Sequence, residues 1–329
     1  MVDRVPVAVV GTGSIGMRHL NVLSGVVTVQ PVAIPKRSER VFVLQDSGYM
    51  AVHSVEEARK LGTRLCVIAS DTAEHLRDGV TAMEHGMDVL VEKPLSTDVG
   101  EAKCLMEAAT KLGRNVFVGC VLRFSKSLNR FREMLGEIGM IHAVRIECQS
   151  YLPDWRPSRP YKESYSGRSA EGGVLRDLIH EIDYAGWIFG WPTALQARVK
   201  NLGRLAIMSD ETADLFWEVY GGGVVSIRLD YLSKPTRRRM AAYGEQGTLE
   251  WDGVANTVSI QRDGLMKQQQ LSHVCDEIFV EQMDSFLASC EGSWDTRLAT
   301  GADGVKALAV CDAAWRATQS NREERVMYK

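Results

Sequence analysis

Three glycines close to the N-terminus, Gly11, Gly13 and Gly16, have the spacing Gly-x-Gly-x-x-Gly. They follow the apolar run Val5–Val10 and precede residues with helical spacing, and this strand–loop–helix context gives the spacing a mechanism. Gly11 permits the tight turn, Gly13 lets the backbone approach a pyrophosphate, and Gly16 lets helix and strand pack closely. The loop therefore predicts a dinucleotide-binding α/β domain, with a purely structural turn as the alternative. The predicted cofactor contacts in this loop are Gly11, Gly13, Ser14, Ile15 and Gly16.

Short apolar runs alternate with helical stretches over the first 120 residues. This alternation indicates crossover units and a parallel, doubly wound sheet. From about residue 122, consecutive strand-like runs with short turns indicate a mostly antiparallel sheet instead. We therefore predict a Rossmann domain at 1–122 and an α+β domain at 123–329 for substrate binding and oligomerisation. The second domain carries an open, mostly antiparallel sheet and a helix running from the Gly172-Gly173 pair to Trp187.

Charge and composition narrow the class of partner. A net charge of −3 gives no electrostatic argument for binding nucleic acid, and no run approaches the roughly 18 apolar residues of a membrane helix. No signal peptide is recognisable, so we expect a cytoplasmic protein. The seven cysteines are scattered without a Cys-x-x-Cys pair, which predicts reduced thiols, mostly in the core, and no metal site. They are Cys66, Cys104, Cys120, Cys148, Cys275, Cys290 and Cys311.

The end of the second predicted strand bears on the choice of dinucleotide. An Asp or Glu at this place, about 20 residues after the glycine loop, binds the ribose of NAD. Here Lys36 stands there, followed by Arg37 and Ser38. Cations suit a 2′-phosphate, so we predict that Lys36 and Arg37 contact NADP(H) and that NADP(H) is preferred to NAD(H). The alternative is that both side chains simply point into solvent.

Four segments in a fixed order carry a family resemblance. They are the glycine loop with Arg18-His19-Leu20, then 67–75, then Val89-Leu90-Val91-Glu92-Lys93-Pro94-Leu95, and then 172–183. With them the chain resembles the Gfo/Idh/MocA oxidoreductases over nearly its whole length. The segment 151–157, with Tyr165-Ser166 and His180-Glu181, resembles a bacterial branch associated with surface-sugar and nonulosonic-acid pathways. One departure is the absence of the usual Pro near Asp71.

The resemblance implies hydride transfer to or from a secondary alcohol or ketone of a sugar, sugar acid, cyclitol or nucleotide sugar. It implies further cofactor contacts at Ser70, Asp71, His75, Glu92 and Lys93. It also implies a cis peptide at Pro94 and a homodimer or homotetramer formed largely through the open sheet. Lys93 follows a predicted parallel strand, where doubly wound sheets bind their ligands, and there it would stabilise the developing alkoxide.

His180 is the predicted proton-transferring group, because its ordinary pKa lies near neutral pH. Asp177 would orient it or contact a substrate hydroxyl, since helical spacing places Asp177, His180, Tyr184 and Trp187 on one face. In many family members an Asp precedes the His by four residues, but Arg176 stands there in this chain. A solvated charge cluster at a helix start is the alternative interpretation.

A further group of aromatic, basic and acidic residues is predicted to contact the substrate, with packing as the alternative for each. These residues are Arg123, Trp155, Arg156, Tyr161, Tyr165, Arg168 and Asp183. Two other classes of function stay open from the sequence. One is a regulator of the same fold that binds dinucleotide or sugar without turnover, and the other is a lyase or glycosidase that uses bound NAD(P) transiently.

Overall fold

The computed structural model describes residues 4–156, 160–272, 274 and 276–328, so Pro157 and Cys275 lie outside the described residues. The chain forms two compact units. The first unit comprises residues 1–121 and 275–305. The second unit comprises residues 122–274 and 306–329. Contacts thus group residues 276–305 with the first unit, whereas the sequence predicted a single boundary at 122/123. Helical periodicity shows that a segment packs on something, but not on which sheet.

The first unit is a Rossmann domain. Its strands are β1 (Val5–Val10), β2 (Val29–Ile34), β3 (Met50–Ala51), β4 (Leu65–Ile68), β5 (Asp88–Val91), β6 (Val116–Val118) and β15 (Ala299–Thr300). Its helices are α1 (Ser14–Gly25), α2 (Glu39–Asp46), α3 (Val55–Lys60), α4 (His75–Glu84), α5 (Val99–Leu112) and α9 (Glu277–Ser289). The sheet order is β3-β2-β1-β4-β5-β6-β15, the doubly wound order with one added edge strand.

Burial explains the apolar runs of this sheet. Val7, Ala8 and Val9 of β1 are fully buried, because helices cover both faces of a parallel sheet. The strands β1 to β6 pair in parallel, and β15 joins β6 in antiparallel fashion. The order reverses beside β1, which pairs with both β2 and β4, and a crevice at such a point is where these folds bind ligands.

The second unit is an α+β domain built on one large sheet. Its strands are β7 (Ile141–Gln149), β8 (Ala194–Lys200), β9 (Thr212–Glu218), β10 (Val224–Asp230), β11 (Arg237–Gly244), β12 (Gly247–Asp252), β13 (Thr257–Arg262), β14 (Leu265–Gln270) and β16 (Glu324–Arg325). Its helices are α6 (Lys126–Met134), α7 (Val174–Asp177), α8 (His180–Phe189) and, from residue 306 on, α10 (Gly301–Ser320). The order is β14-β13-β12-β11-β7-β10-β9-β8-β16, antiparallel except where β7 meets β10.

Alternation along the strands shows that one face of this sheet is covered and the other is open. In β8, Leu195, Ala197 and Val199 are buried while Gln196 and Arg198 are exposed. This period of two is typical of an antiparallel sheet with one solvated face. The predicted α/β and α+β fold classes are both confirmed. No helix in the described part of the chain is long and apolar enough to cross a membrane.

Two local predictions are corrected by the structure. The helix predicted from 173 to 187 is interrupted, since α7 ends at Asp177 and α8 begins at His180. Asp177 and His180 therefore do not lie on one continuous helix face. The edge strand β14 was not predicted, because its six residues are all exposed and half of them are Gln, which hides the alternation that marks a half-buried strand.

Candidate active site

The glycine loop forms a cradle at the carboxyl end of β1. Gly11 has φ +87°, and a Cβ there would lie 2.5 Å from the Ala69 carbonyl oxygen. A Cβ on Gly16 would lie 1.9 Å from the Gly11 carbonyl oxygen. At Gly13, by contrast, a Cβ would meet nothing within 4 Å. Close backbone packing thus requires glycine at positions 11 and 16, whereas Gly13 leaves the loop open to an approaching ligand.

The helix start beside this cradle has free donors. Gly13 caps α1 without a side-chain hydrogen bond, and the first turn holds no acidic residue. The first N–H groups of a helix have no partner within it and carry a partial positive charge. Ser70 Oγ, next to Gly11 in the adjoining loop, is buried without a hydrogen-bond partner among the described residues. The cradle therefore fits the pyrophosphate of a dinucleotide.

His75, a predicted cofactor contact, is buried between two loops. The side chain is 1% exposed, its Nδ1 lies 3.0 Å from the Pro94 carbonyl oxygen, and its Nε2 lies 3.1 Å from that of Ser70. Burial lowers the pKa of the imidazole, with the carbonyl contacts opposing that shift. Both ring nitrogens contact backbone carbonyl oxygens, so His75 links the loops of Ser70 and Pro94. Asp71 is exposed beside it.

Lys93 follows β5 and is half-buried, and its peptide bond to Pro94 is cis, as predicted. The preceding Glu92 is buried, with Oε1 2.7 Å from His19 Nε2 and Oε2 accepting the Lys93 backbone N–H at 3.1 Å. Burial acts to raise the pKa of the Glu92 carboxyl, but His19 and Lys93 outweigh it and hold that pKa below its usual value. His19 was not predicted as a site residue; its only signal was its place in the family's first segment.

The basic residues after β2 are arranged differently from the prediction. Lys36 Nζ lies 2.8 and 2.9 Å from the two carboxylate oxygens of Asp78 and 3.5 Å from Glu74. Its charge is therefore compensated within the protein. Arg37 is exposed, and Arg40, which was not predicted, donates from Nε to Thr12 Oγ1 of the glycine loop at 2.8 Å. Among the described residues neither arginine has a carboxylate partner.

Aromatic side chains surround Asp177 in the second unit. Tyr231 is fully buried and donates its hydroxyl to Asp177 Oδ2 at 2.6 Å. The Trp155 ring lies 5.4 Å from the Tyr231 ring, edge to face. Burial, reinforced by the Asp177 charge, raises the pKa of Tyr165, and Arg156 lies over the Tyr165 ring at 5.8 Å. The structure thus brings Trp155, Arg156, Tyr165 and Asp177 together and adds Tyr231, for which the sequence carried no signal.

The Gly172-Gly173 pair allows this arrangement. A Cβ on Gly172 would lie 2.1 Å from the Tyr165 carbonyl oxygen, and one on Gly173 would lie 2.3 Å from Asp210 Oδ1. Gly173 also has φ +104°. Asp210 in turn accepts the Leu175 N–H at 3.0 Å at the start of α7. Two glycines therefore let the loop of Tyr165 and the start of α7 approach closely.

His180 is half-buried at the first position of α8. The next residue, Glu181, is fully buried and accepts a hydrogen bond from Arg238 Nε of β11 at 2.7 Å. This ion pair fixes the helix start to the sheet. Arg176, where many family members have Asp, is buried with its guanidinium 4.4 Å from the Trp315 ring centroid. Its guanidinium also donates to the Ser169 and Gly172 carbonyl oxygens, each at 3.3 Å.

Four predicted substrate contacts have structural partners instead. Arg123 and Asp183 are 1% and 2% exposed and form a two-point ion pair at 3.0 and 2.7 Å, which corrects their assignment to the substrate. The Tyr161 hydroxyl donates to the Leu205 carbonyl oxygen, and Arg168 pairs with Glu171. Among the described residues, neither Tyr161 nor Arg168 hydrogen-bonds to Asp177. No group of three or more potential ligands for a metal ion occurs in that same part of the chain.

Comparison with known proteins agrees with this architecture. An inositol 2-dehydrogenase of Rhizobium meliloti (strain 1021) is 23% identical over 95% of this chain and 96% of its own. An oxidoreductase from Agrobacterium radiobacter, solved with NAD⁺, L-tartaric acid and magnesium, superposes with a TM-score of 0.86 at 18% identity, covering 98% of each chain. The WlbA dehydrogenase from Bordetella pertussis, solved with NADH and UDP-GlcNAcA, gives 0.81 at 19% identity, covering 98% of this chain and 99% of its own.

Family matches cover most of both units. Residues 5–120 match the oxidoreductase family with an NAD-binding Rossmann fold, and residues 130–250 match the C-terminal domain of the same family. The two matches occur in the family's order and together span well over half of the chain. The protein therefore belongs to the Gfo/Idh/MocA family of oxidoreductases.

Proposed function

We propose that the protein is an NAD(P)-dependent oxidoreductase acting on a secondary alcohol or ketone of a sugar, sugar acid, cyclitol or nucleotide sugar. The observation that carries this proposal is that the glycine cradle and Lys93 belong to the same unit. Glu92 accepts the backbone N–H of Lys93 and so holds the lysine segment in place. Relatives named for inositol oxidation and a structural neighbour holding UDP-GlcNAcA support this class of substrate.

Two side chains are suited to the reaction. The bound dinucleotide would supply the hydride acceptor or donor. Lys93 provides a cation that stabilises the alkoxide as the C–H hydride leaves. His180 accepts the hydroxyl proton, since an imidazole exchanges protons near neutral pH. Asp177 lies three residues before His180, and Tyr231 holds its carboxylate.

The chemistry around Asp177 supports a polyol substrate. A carboxylate accepts hydrogen bonds from hydroxyl groups, whereas a phenol both donates and accepts them. The flat rings of Trp155 and Tyr165 offer apolar surfaces to the C–H faces of a sugar, and the Arg156 guanidinium suits an anionic group on it.

For the cofactor we propose a preference for NADP(H), supported by Arg37 and Arg40. Neither guanidinium has a carboxylate partner among the described residues, and the Arg40–Thr12 bond anchors one of them at the glycine loop. Lys36 supports the preference less than the sequence suggested, because Asp78 and Glu74 compensate its charge.

For the assembly we propose a homodimer or homotetramer joined through the open face of the sheet. This face holds a concavity of about 780 Å³ that includes the exposed ring of Phe216 and the ring of Tyr243. Acidic and basic side chains alternate across it, as in the pairs Arg228–Asp214 and Arg239–Asp252. Interleaved charges of both signs are self-complementary, so a second copy of the chain is the occupant we propose.

The test begins with fluorescence titration of the full-length protein by NADPH and by NADH. We expect both to bind, NADPH more tightly. A screen of cyclitols, sugars, sugar acids and nucleotide sugars with NADP⁺ follows, with nicotinamide absorbance as the readout. Lys93→Met and His180→Asn should each lower kcat on the best substrate by roughly a hundredfold or more. Lys111→Met and His142→Asn, exposed residues of the same types in the same two units, should not change it.

Each alternative class gives a distinct result. Tight binding of dinucleotide without turnover of any compound would favour a regulator. Substrate consumption without net reduction of NADP⁺ would favour a lyase or glycosidase. Tighter binding of NADH than of NADPH would contradict only the cofactor preference, and absence of binding would contradict the proposal as a whole.

A further inference from the structure

The Glu92 carboxylate is held by two N–H groups inside the first unit. One comes from His19 on α1, at 2.7 Å, and the other from the Lys93 backbone, at 3.1 Å. His19 is 0% exposed and Glu92 is 8% exposed. A buried carboxylate that lost one of these donors would leave an oxygen unsatisfied, so the two bonds hold it in one orientation.

Neighbouring residues leave this carboxylate and the ring little room. A Cβ on Gly119 would lie 3.0 Å from the carboxyl carbon of Glu92. On the His19 side, the Phe279 ring of α9 packs edge to face against the His19 ring, with 5.7 Å between the ring centroids. Phe279 is itself covered by the Arg18 guanidinium at 4.4 Å from its centroid. Helix α9, which belongs to the first unit, therefore packs against His19.

The contact with Glu92 places a proton of the His19 ring on Nε2. A carboxylate oxygen 2.7 Å from this nitrogen accepts a hydrogen bond, so Nε2 carries the proton that is donated to Glu92 Oε1. Nδ1 is buried and has no hydrogen-bond partner among the described residues, so Glu92 is the ring's hydrogen-bond partner in this part of the chain.

We propose that His19 is a positioning residue for Lys93, acting through the Glu92 carboxylate. His19 lies three residues after Gly16, on the helix whose N-terminus faces the pyrophosphate cradle. The same helix thus presents the phosphate donors and fixes the backbone of the lysine segment. The inference rests on the proposed function insofar as Lys93 acts on the substrate.

Two substitutions separate this role from simple packing. His19→Phe keeps an aromatic ring but removes the donor, whereas His19→Gln loses the ring but keeps an amide N–H for Glu92. We expect kcat of the full-length enzyme to fall roughly ten- to a hundredfold in His19→Phe, because a small displacement of a reacting group is costly. KM and the Kd of NADPH should stay within about threefold, and His19→Gln should keep kcat within about threefold of wild type. A packing role predicts the opposite order, with Phe retaining kcat and Gln losing it.

A second readout does not depend on turnover. ¹⁵N imidazole spectra, with the His19 signals assigned from their loss in His19→Gln, should show a proton on Nε2, and Glu92→Gln should shift those signals. Unchanged kcat in His19→Phe, equal losses in both variants, or an Nε2 of His19 without a proton would overturn the inference. If wild type turned over no substrate, the proposed function would fail, and the spectra would still decide whether His19 donates to Glu92.

Discussion

At the scale of single residues, some glycines of the glycine loop are required for folding and another for binding. Gly11 and Gly16 occupy places where a Cβ would collide with backbone at 2.5 and 1.9 Å. Gly13 occupies a place where a Cβ would meet nothing in the protein. Its value is the open approach it leaves for a pyrophosphate.

Alanine at Gly13 and at Gly16 should therefore have different effects. Gly16→Ala should destabilise the protein by about 3 kcal/mol, because neither backbone segment can give way by the required distance. Gly13→Ala should change stability by less than about 0.5 kcal/mol, yet weaken NADPH binding at least about tenfold. Thermal unfolding and fluorescence titration measure the two quantities. Equal loss of stability in both variants would contradict the separation.

Position along the chain did not reveal the partners of the charged residues. Lys36 stands where a ribose contact is expected, but Asp78 lies within hydrogen-bond distance of its ammonium. Arg123 and Asp183 have the composition of a substrate site, but they form a buried ion pair. The type of a residue limits the groups that it can bind, but which group it does bind depends on segments distant in sequence.

At the scale of elements, the break between α7 and α8 shapes the substrate side. Gly173 has φ +104° and abuts the Asp210 carboxylate, which caps the start of α7. Asp177 closes that short helix and His180 opens the next one. The position of both predicted catalytic side chains therefore depends on the backbone at Gly173.

Gly173→Ala should destabilise the protein by roughly 2–4 kcal/mol, since it adds both a strained φ and an overlap with Asp210. It should also lower kcat in the fraction that stays folded, because Asp177 shifts with α7. Gly136→Ala is the matched control in the same unit, where a Cβ meets nothing within 4 Å, and it should stay within about 0.5 kcal/mol of wild type. Chemical denaturation and steady-state kinetics provide the readouts. Wild-type stability in Gly173→Ala would refute this account.

At the scale of the whole molecule, the open face of the second sheet is the feature to explain. One face of its nine strands is covered by the unit's own core, and the other carries interleaved charges with two aromatic rings. A sheet face of this size commonly packs on another layer of structure. We therefore expect the solution mass to be that of two or four chains.

Phe216→Asp should lower that mass to a smaller assembly, because the interface would have to bury an unpaired carboxylate. Tyr220→Asp, at a fully exposed aromatic in the turn between β9 and β10, is the control and should keep the wild-type mass. Light scattering after size-exclusion chromatography measures the mass. A wild-type protein that runs as one chain would contradict the proposed assembly.

Much of the fold follows from local patterns in the sequence. β1 has the bounds of the apolar run Val5–Val10, because a continuous apolar run reports the burial of its segment directly. The glycine spacing likewise identified the cradle, since Gly11 and Gly16 meet local backbone requirements and Gly13 leaves the loop open. The family's four segments identified Lys93, Asp177 and His180 as candidates, and their catalytic roles remain predictions.

The tertiary structure alone decided which distant groups meet. It assigned 276–305 to the first unit, paired His19 with Glu92, compensated Lys36 with Asp78, and joined Tyr231 to Asp177. None of these contacts leaves a periodic trace in the sequence. A buried polar group needs a hydrogen-bond partner. The sequence does not identify that partner, because the two groups come together only when separate elements pack.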